Sequence, residues 1–272
     1  MIDQLRRGHT MKKIRVGLIN CDMHGMYYAG LMGKHDLIEL EYDSVIQKSC
    51  NAIQLYFYTD YLNPQKIMVP TVSGFRFAKV WDENPEPAQQ FSEIWRDHPK
   101  VCKSFQEASD DVDLVFIADC IGDGSDHLEL AAPGLKKGVP TFVDKPLAYD
   151  IKDARALIRL AERHGAPVMS LSILREVPQA SRFRDRFTEL GAPEFGIIKG
   201  GGPVMAGHIH AISLAQHLFG DGVEAVECMG QSPLAYVHLD YGGKADRPSE
   251  GVVLNCASGG SPHCAMYASV YS

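Results

Sequence analysis

Residues 16–25 read VGLINCDMHG, and this short stretch decides the fold. Its first five residues belong to an apolar run from Ile14 to Asn20, of the kind that is typical of a strand buried on both faces of a parallel sheet. The loop CDMHG then leads into YYAGLMGKH, which has helical character. The stretch therefore predicts a strand, a tight turn and a helix, which is the opening unit of a doubly wound sheet.

The same alternation continues along the chain. Further strands are predicted at residues 75–81, 112–118 and 140–143 and from residue 167, with helices at about 88–96, 127–137 and 151–164. Residues 36–73 have no clear period and are interpreted as an insertion. Strands that alternate with helices predict an α/β fold with a Rossmann-type, doubly wound parallel sheet.

The pattern changes in the C-terminal part. A helix at 179–190, a strand at 194–199 and a helix at 211–219 precede strands near 223–229, 234–241, 250–256 and 264–271. Consecutive strands without helices between them predict a mostly antiparallel sheet. We therefore expect a dinucleotide-binding-type domain at 1–149, with the insertion at 36–73, and a small α+β domain at 150–272.

Composition narrows the functional classes. The net charge of -7 and the lack of a basic patch argue against nucleic acid and anionic membranes as partners. The seven cysteines contain no CxxC pair, which argues against a disulfide framework or a thiolate zinc site. No secretory apolar region and no run of about 18 apolar residues are visible, so a cytoplasmic location is expected.

The loop after the first strand occupies the place of the dinucleotide fingerprint G-x-G-x-x-G, whose positions here are Asn20, Asp22 and Gly25. Asn20 tolerates the left-handed backbone of the turn, and Gly25 allows close packing of helix and strand. Asp22 adds a side chain and a negative charge where a diphosphate would meet the helix N-terminus. Two interpretations stay open: a modified cofactor loop, or a carboxylate that caps an ordinary helix.

Asp82 follows the predicted strand at 75–81, the position of the acidic residue that binds an adenosine ribose. A carboxylate there would repel a 2′-phosphate. If the chain binds a dinucleotide, this position favours NAD over NADP.

Later motifs suggest a family. The segment FVDKPLA at 142–148, followed by a helix and PVMSLSI, resembles the E-K-P segment of the Gfo/Idh/MocA oxidoreductases, the group that includes glucose-fructose oxidoreductase and inositol 2-dehydrogenase. KKIRVGLINCDMHG at 12–25 is similar to the first strand and glycine loop of that family. The resemblance implies an NAD(P)-dependent oxidoreductase with a sugar-like or polyol substrate. The positions it assigns to the cofactor are Asn20, Cys21, Asp22, Met23, His24, Gly25, Asp82, Asp144, Lys145 and Pro146.

The resemblance also implies roles for single residues. Lys145 matches the family lysine between nicotinamide and substrate, Asp144 replaces the usual glutamate, and Pro146 follows a peptide bond that is often cis. The segment GGGPVMAGHIHAISLAQHLFG at 200–220 resembles the stretch that carries the family's catalytic histidine, which His210 matches. Two family aspartates in this stretch are replaced, by Ala206 and Ser213, which puts ordinary polyol dehydrogenation in doubt.

Two alternatives follow from these departures. One is a catalytically silent relative that binds a small ligand. The other is a metal-assisted lyase or isomerase built on His208, His210 and His217, with His24 or His127 as a further ligand. No complete ligand spacing is visible, so no metal site is predicted. The expected partners are a small-molecule substrate and further copies of the chain, as a dimer or tetramer, because the C-terminal strands have little chain left to cover them.

Overall fold

The computed structural model describes residues 12–36, 39–40, 71–120, 122–200, 204–231, 235–255 and 267–272. In the first part of the chain, strands and helices alternate. Their bounds are β1 Ile14–Ile19, α1 Met23–Met32, β2 Phe75–Trp81, α2 Pro85–Ile94, β3 Lys100–Val101, α3 Phe105–Ala108, β4 Leu114–Ile117, α4 His127–Lys136, β5 Thr141–Val143, α5 Ile151–His164 and β6 Val168–Met169.

The remaining elements contain more strands than helices. They are a 3₁₀-helix at Ile173–Glu176, α6 Pro178–Asp185, a 3₁₀-helix at Phe187–Glu189, β7 Phe195–Lys199, α7 Val204–Phe219, β8 Ala225–Met229, β9 Tyr236–Asp240, β10 Val252–Asn255 and β11 Tyr267–Tyr271. No helix among the described residues has the length and apolar character needed to cross a membrane.

The two sheets confirm the predicted fold class. The first has six parallel strands in the order β3-β2-β1-β4-β5-β6, which is the doubly wound arrangement. The second has the order β11-β7-β10-β9-β8, and only its β7–β10 pair is parallel. The second sheet is therefore mostly antiparallel.

Contacts divide the chain into two compact units. The first contains residues 1–120, 126–143 and 150–169, and the second contains 121–125, 144–149 and 170–272. Residues 150–169, which the sequence analysis assigned to the second domain, group with the first unit. The reason is that β6 pairs with β5 and α5 packs against α4.

Each unit has its own apolar core. In the first, Phe91 stacks on Trp95 with ring centroids 4.1 Å apart, and the Trp95 indole donates a hydrogen bond to the carbonyl of Ala29. In the second, the buried side chains Ile198, Leu239 and Leu254 from the sheet form one cluster with residues of α7. Close packing of this kind fixes the ends of the elements from which the candidate site is built.

Several element boundaries match the sequence prediction, and some do not. β2 and α5 have the predicted bounds. The helix predicted from residue 88 begins at Pro85, because the Asn84 side chain caps it by accepting a hydrogen bond from the amide of Glu86. β3 and α3 were missed, and most of the predicted insertion at 36–73 lies outside the described residues.

Candidate functional site

The turn after β1 is built by Asn20. Its φ of 67° is left-handed, as the sequence predicted. The backbone amide of Asn20 donates to the carbonyl of Trp81 at 2.8 Å, and its side-chain amide donates to the carbonyl of Ala118 at 3.1 Å. Asn20 thus joins the ends of three neighbouring strands, β2, β1 and β4, at the edge of the sheet where ligands of such folds bind.

Gly25 lets helix α1 approach this turn closely. A Cβ atom at Gly25 would lie 2.7 Å from the carbonyl oxygen of Asn20 and 3.4 Å from the Cβ of Ala118. The first distance is well inside van der Waals contact. This geometry explains why glycine stands at the third fingerprint position.

Asp22 caps helix α1. One carboxylate oxygen accepts a hydrogen bond from the amide of Gly25 at 3.0 Å, and the other accepts from the amide of Cys120, just beyond β4. The capping interpretation therefore describes the observed contact. A carboxylate of the protein itself holds amides at the helix N-terminus, the position where dinucleotide folds bind a diphosphate.

A second carboxylate reaches the same loop. Asp82 accepts hydrogen bonds from the amide of Cys21 at 2.7 Å and from the amide of Asn84 at 2.9 Å. Burial raises the pKa of the Cys21 thiol, and the nearby charges of Asp82 and Asp22 raise that pKa further. The loop is thus surrounded by negative charge from two sides.

Met23 and His24 form the first turn of α1 and are half-buried. The His24 ring meets the edge of Tyr28, with centroids 5.6 Å apart. The structure therefore collects the predicted loop residues and Asp82 in the first unit, with Asp22 and Asp82 holding its backbone. Their roles in binding a cofactor stay predictions.

The Asp-Lys-Pro segment belongs to the second unit. Asp144 is 1% exposed and Lys145 is 3% exposed. The Asp144 carboxylate accepts from the amide of Lys145 at 2.8 Å, and its carbonyl accepts from the hydroxyl of Ser170 at 3.3 Å. The peptide bond between Lys145 and Pro146 is cis, in line with the resemblance. A buried lysine of this kind is a candidate for proton transfer.

His210 lies on α7 in the same unit and contacts a serine that the sequence analysis did not single out. The hydroxyl of Ser172 is 2.6 Å from Nδ1 of His210 and also accepts a hydrogen bond from the amide of Leu174 at 3.2 Å. Ser172 is fully buried, and its own amide donates to the hydroxyl of Ser213 at 3.4 Å. When Nδ1–H donates to Ser172, Nε2 of His210 is left as the basic nitrogen.

Ser213 therefore joins this contact at a position where the family has an aspartate. The sequence held one signal for Ser172, because it lies just beyond the last strand of the first sheet, where ligand-binding residues gather. The sequence also held a signal for Ser213, because Ser213 lies three residues after His210 and residues three apart on a helix share a face.

The remaining histidines have separate contacts. Nε2 of His217 lies 3.2 Å from the hydroxyl of Ser181, and Nε2 of the buried His127 lies 3.1 Å from a carboxylate oxygen of Asp119. Among the described residues, the group with metal-binding spacing is Asp119, Asp126 and His127. The structure does not bring His208, His210 and His217 into such a group. The four described cysteines form no disulfide, namely Cys21, Cys102, Cys120 and Cys228.

Comparisons with known proteins agree with the motifs. Residues 56–171 match the model of the GFO_IDH_MocA family, described as an oxidoreductase family with an NAD-binding Rossmann fold. A stretch of 42 residues is 50% identical to a myo-inositol dehydrogenase from Streptomyces leeuwenhoekii, covering 15% of this chain and 13% of that protein. The chain thus matches only a small part of this curated relative.

Solved structures share the fold at low sequence identity. A UDP-N-acetylglucosamine 3-dehydrogenase from Acidithiobacillus ferrooxidans is 19% identical, with a TM-score of 0.65 over 96% of this chain and 75% of that one. A biliverdin reductase from Synechocystis sp. PCC 6803, solved with biliverdin and NADP+, is 17% identical, with a TM-score of 0.58 over 89% of this chain and 71% of that one. The family-model match, the motifs around Lys145 and these structures together show that the chain is similar to the Gfo/Idh/MocA oxidoreductases over residues 56–171 and shares their fold.

Proposed function

We propose that the chain is an NAD(P)-dependent oxidoreductase that acts on a hydroxyl group of a sugar-like or polyol substrate. The observation that carries the proposal is the hydrogen bond between His210 and the buried Ser172, in the unit that also holds the buried Lys145. A fixed imidazole can accept the hydroxyl proton, and a lysine can hydrogen-bond the reacting oxygen. The bound dinucleotide supplies hydride transfer.

The backbone of the loop after β1 is compatible with a bound dinucleotide, whereas the negative charge of the loop opposes binding of the diphosphate. Asn20 makes the turn, and Gly25 allows the close approach of α1. The Asp22 carboxylate, however, holds the amides of Gly25 and Cys120. We therefore propose weak binding, in which a diphosphate competes with Asp22 for these donors. Asp82 makes NAD the preferred cofactor over NADP.

Calorimetric titration with NAD+, NADH and NADP+ tests this proposal, with Asp22→Gly as the diagnostic variant. Removing one carboxylate that competes for charge-assisted hydrogen bonds is expected to tighten NADH binding about tenfold or more. Asp150→Gly is the matched control, because Asp150 also caps a helix, accepting from the amide of Lys152 at 2.6 Å. If neither the wild type nor Asp22→Gly binds any dinucleotide at millimolar concentration, the cofactor assignment fails.

That outcome would favour a second candidate, a catalytically silent relative that binds a small ligand. The specific observation in its favour is that both carboxylate oxygens of Asp22 already hold backbone amides. Turnover separates the two candidates. A panel of inositols, hexoses and nucleotide sugars, assayed for NADH formation with wild type and Asp22→Gly, should give activity with at least one compound if the chain is an oxidoreductase.

We also propose that the chain associates with itself through the second sheet. Large apolar side chains on its strands are exposed, namely Val226, Met229, Tyr236, Tyr267 and Tyr271. β8 is an edge strand of this sheet and is exposed along its whole length. Light scattering should give a dimer or tetramer that Val226→Lys weakens, and a monomeric wild type at micromolar concentration would contradict the proposal.

A further inference from the structure

The second unit contains a cavity that is separate from the contacts of His210. It has a volume of about 380 Å³, and its polar lining consists of Arg175, Arg184, Gln216, His217, Asp246 and Arg247. His217 lies seven residues after His210 on α7, which is about two helical turns. The volume falls within the range of small-molecule sites.

The arginines of this lining are more buried than the acids beside them in sequence. Arg175, Arg184 and Arg247 have side chains that are 28%, 43% and 23% exposed, whereas the side chains of Glu176, Asp185 and Asp246 are 65%, 67% and 79% exposed. Asp246 also lines the cavity, whereas Glu176 and Asp185 lie outside the lining and are screened by water, so the wall holds three arginines and one aspartate. The cavity wall carries net positive charge.

These guanidinium groups also keep unused donors. Arg175 donates through Nη1 to the side chain of Gln216 at 3.1 Å. Arg247 donates through Nε to the carbonyl of Asp221 at 2.9 Å and through Nη1 to Asp246. Arg184 donates through Nε and Nη2 to the carboxylate of Asp185 at 3.4 and 3.3 Å. A guanidinium has five N–H donors, so within the described part of the chain each arginine retains the capacity for a further bond.

The pKa of His217 responds to the charged groups around the cavity. Burial lowers the pKa of His217, the charges of Arg184 and Arg175 lower it further, and the weaker influence of the Glu176 and Asp185 carboxylates opposes this. The C-terminal end of α7 attracts cations through its helix dipole, which explains why arginines gather there. The helix dipole does not, however, explain why the arginines surround an open cavity.

We propose that this cavity binds a small dianion, a phosphate monoester or a dicarboxylate, through the guanidinium groups of Arg175, Arg184 and Arg247. Arginine is suited to this ligand class, because its planar donor pair matches the oxygen spacing of phosphate and carboxylate groups. The apolar rings of Phe187 and Phe219 complete the lining and would contact the carbon part of the ligand.

Titration of the whole chain with inorganic phosphate and with succinate tests the proposal, with acetate at equal ionic strength as the monoanion comparison. Saturable binding of phosphate or succinate at millimolar concentration is expected. Arg175→Gln and Arg184→Gln should each weaken it about tenfold, the effect of losing one charged hydrogen-bonding partner. Arg184→Lys should keep part of the affinity, because it retains the charge and loses the donor pair.

Arg186→Gln is the matched control. Arg186 lies two residues after Arg184, has a side chain that is 73% exposed, and pairs with Glu189 outside the cavity lining. It should leave binding unchanged. The proposal is overturned if no dianion saturates the protein, if acetate binds equally well, or if Arg186→Gln weakens binding as much as Arg184→Gln. If no dianion binds, the role that remains for the arginines is to stabilise the C-terminal end of α7.

Discussion

Two regions of this molecule depart from the family pattern, with opposite consequences. At the loop after β1 the chain gains a carboxylate, and Asp22 uses it to hold the amides of Gly25 and Cys120. Around His210 it lacks a carboxylate, and the hydroxyl of Ser213 instead accepts from the amide of Ser172, which contacts the His210 ring. A gained charge satisfies donors that a ligand would need, whereas the Ser213 hydroxyl that replaces a lost charge holds the backbone of Ser172, the residue that contacts the His210 ring.

The difference teaches that a motif residue is best judged by what its donors and acceptors contact. Counting matches would score both regions as damaged. Hydrogen-bond partners indicate instead that the loop competes with a diphosphate, while the His210 region keeps a fixed imidazole.

Replacing Lys145 should have the largest effect. Lys145→Met preserves most of the buried volume and removes the ammonium group, so turnover should fall about 10²- to 10⁴-fold, the usual contribution of a proton-transfer group. The measurement is steady-state NADH formation with the best substrate of the panel. Lys152→Met, on the exposed start of α5, is the control and should be fully active. Unchanged turnover of Lys145→Met would remove Lys145 from the mechanism.

Ser172→Ala should lower turnover less, by about 10- to 100-fold, because Ser172 positions His210 and is not expected to touch the substrate. A shift of the pH–rate profile would show that the altered group is the imidazole, a change that a purely structural defect does not produce. Ser172→Thr, which retains a hydroxyl group, should keep most of the wild-type activity. Ser181→Ala removes a similar contact, from His217, and serves as the control; an equal loss in both variants would contradict the positioning role.

These two regions also mark how far sequence analysis reaches. The bounds of β2 and α5 were predictable because apolar patterns and helix ends are local, as at Gly165, whose left-handed φ of 61° ends α5. The left-handed turn at Asn20 was predictable for the same reason. The partners of Asp22 and His210 were not, because Cys120 lies 98 residues from Asp22 and Ser172 lies 38 residues from His210. Only the folded sheet brings these groups together.

Asp22→Ala should lower the free energy of unfolding, even where removal of the carboxylate raises cofactor affinity. Loss of a helix cap lowers the free energy of unfolding by about 1 kcal/mol, and Asp22 should reach the upper part of the range, about 2 kcal/mol, because it also holds the amide of Cys120. Urea denaturation measures the change. Asp150→Ala, at the cap of α5, should cost less. Equal losses would mean that the contact with Cys120 adds nothing to stability.

The smallest effect is expected at the far end of β1, where Arg15 pairs with Asp113 through two side-chain hydrogen bonds of 2.9 and 3.0 Å. The guanidinium of Arg15 holds the pKa of Asp113 well below its usual range. A carboxylate with a lowered pKa in the folded state contributes stability above the pKa of the unfolded chain, near 4, and loses that contribution as the pH falls. Asp113→Asn should therefore be slightly less stable than wild type at neutral pH, and the difference should vanish in acid. The effect is small because solvent screens this pair, with Asp113 36% exposed.

NADH affinity, measured on the same samples, should not change, because the pair lies at the opposite end of β1 from Asp22. An altered affinity would show that strand stability in general, and not the Asp22 carboxylate, controls the cofactor loop.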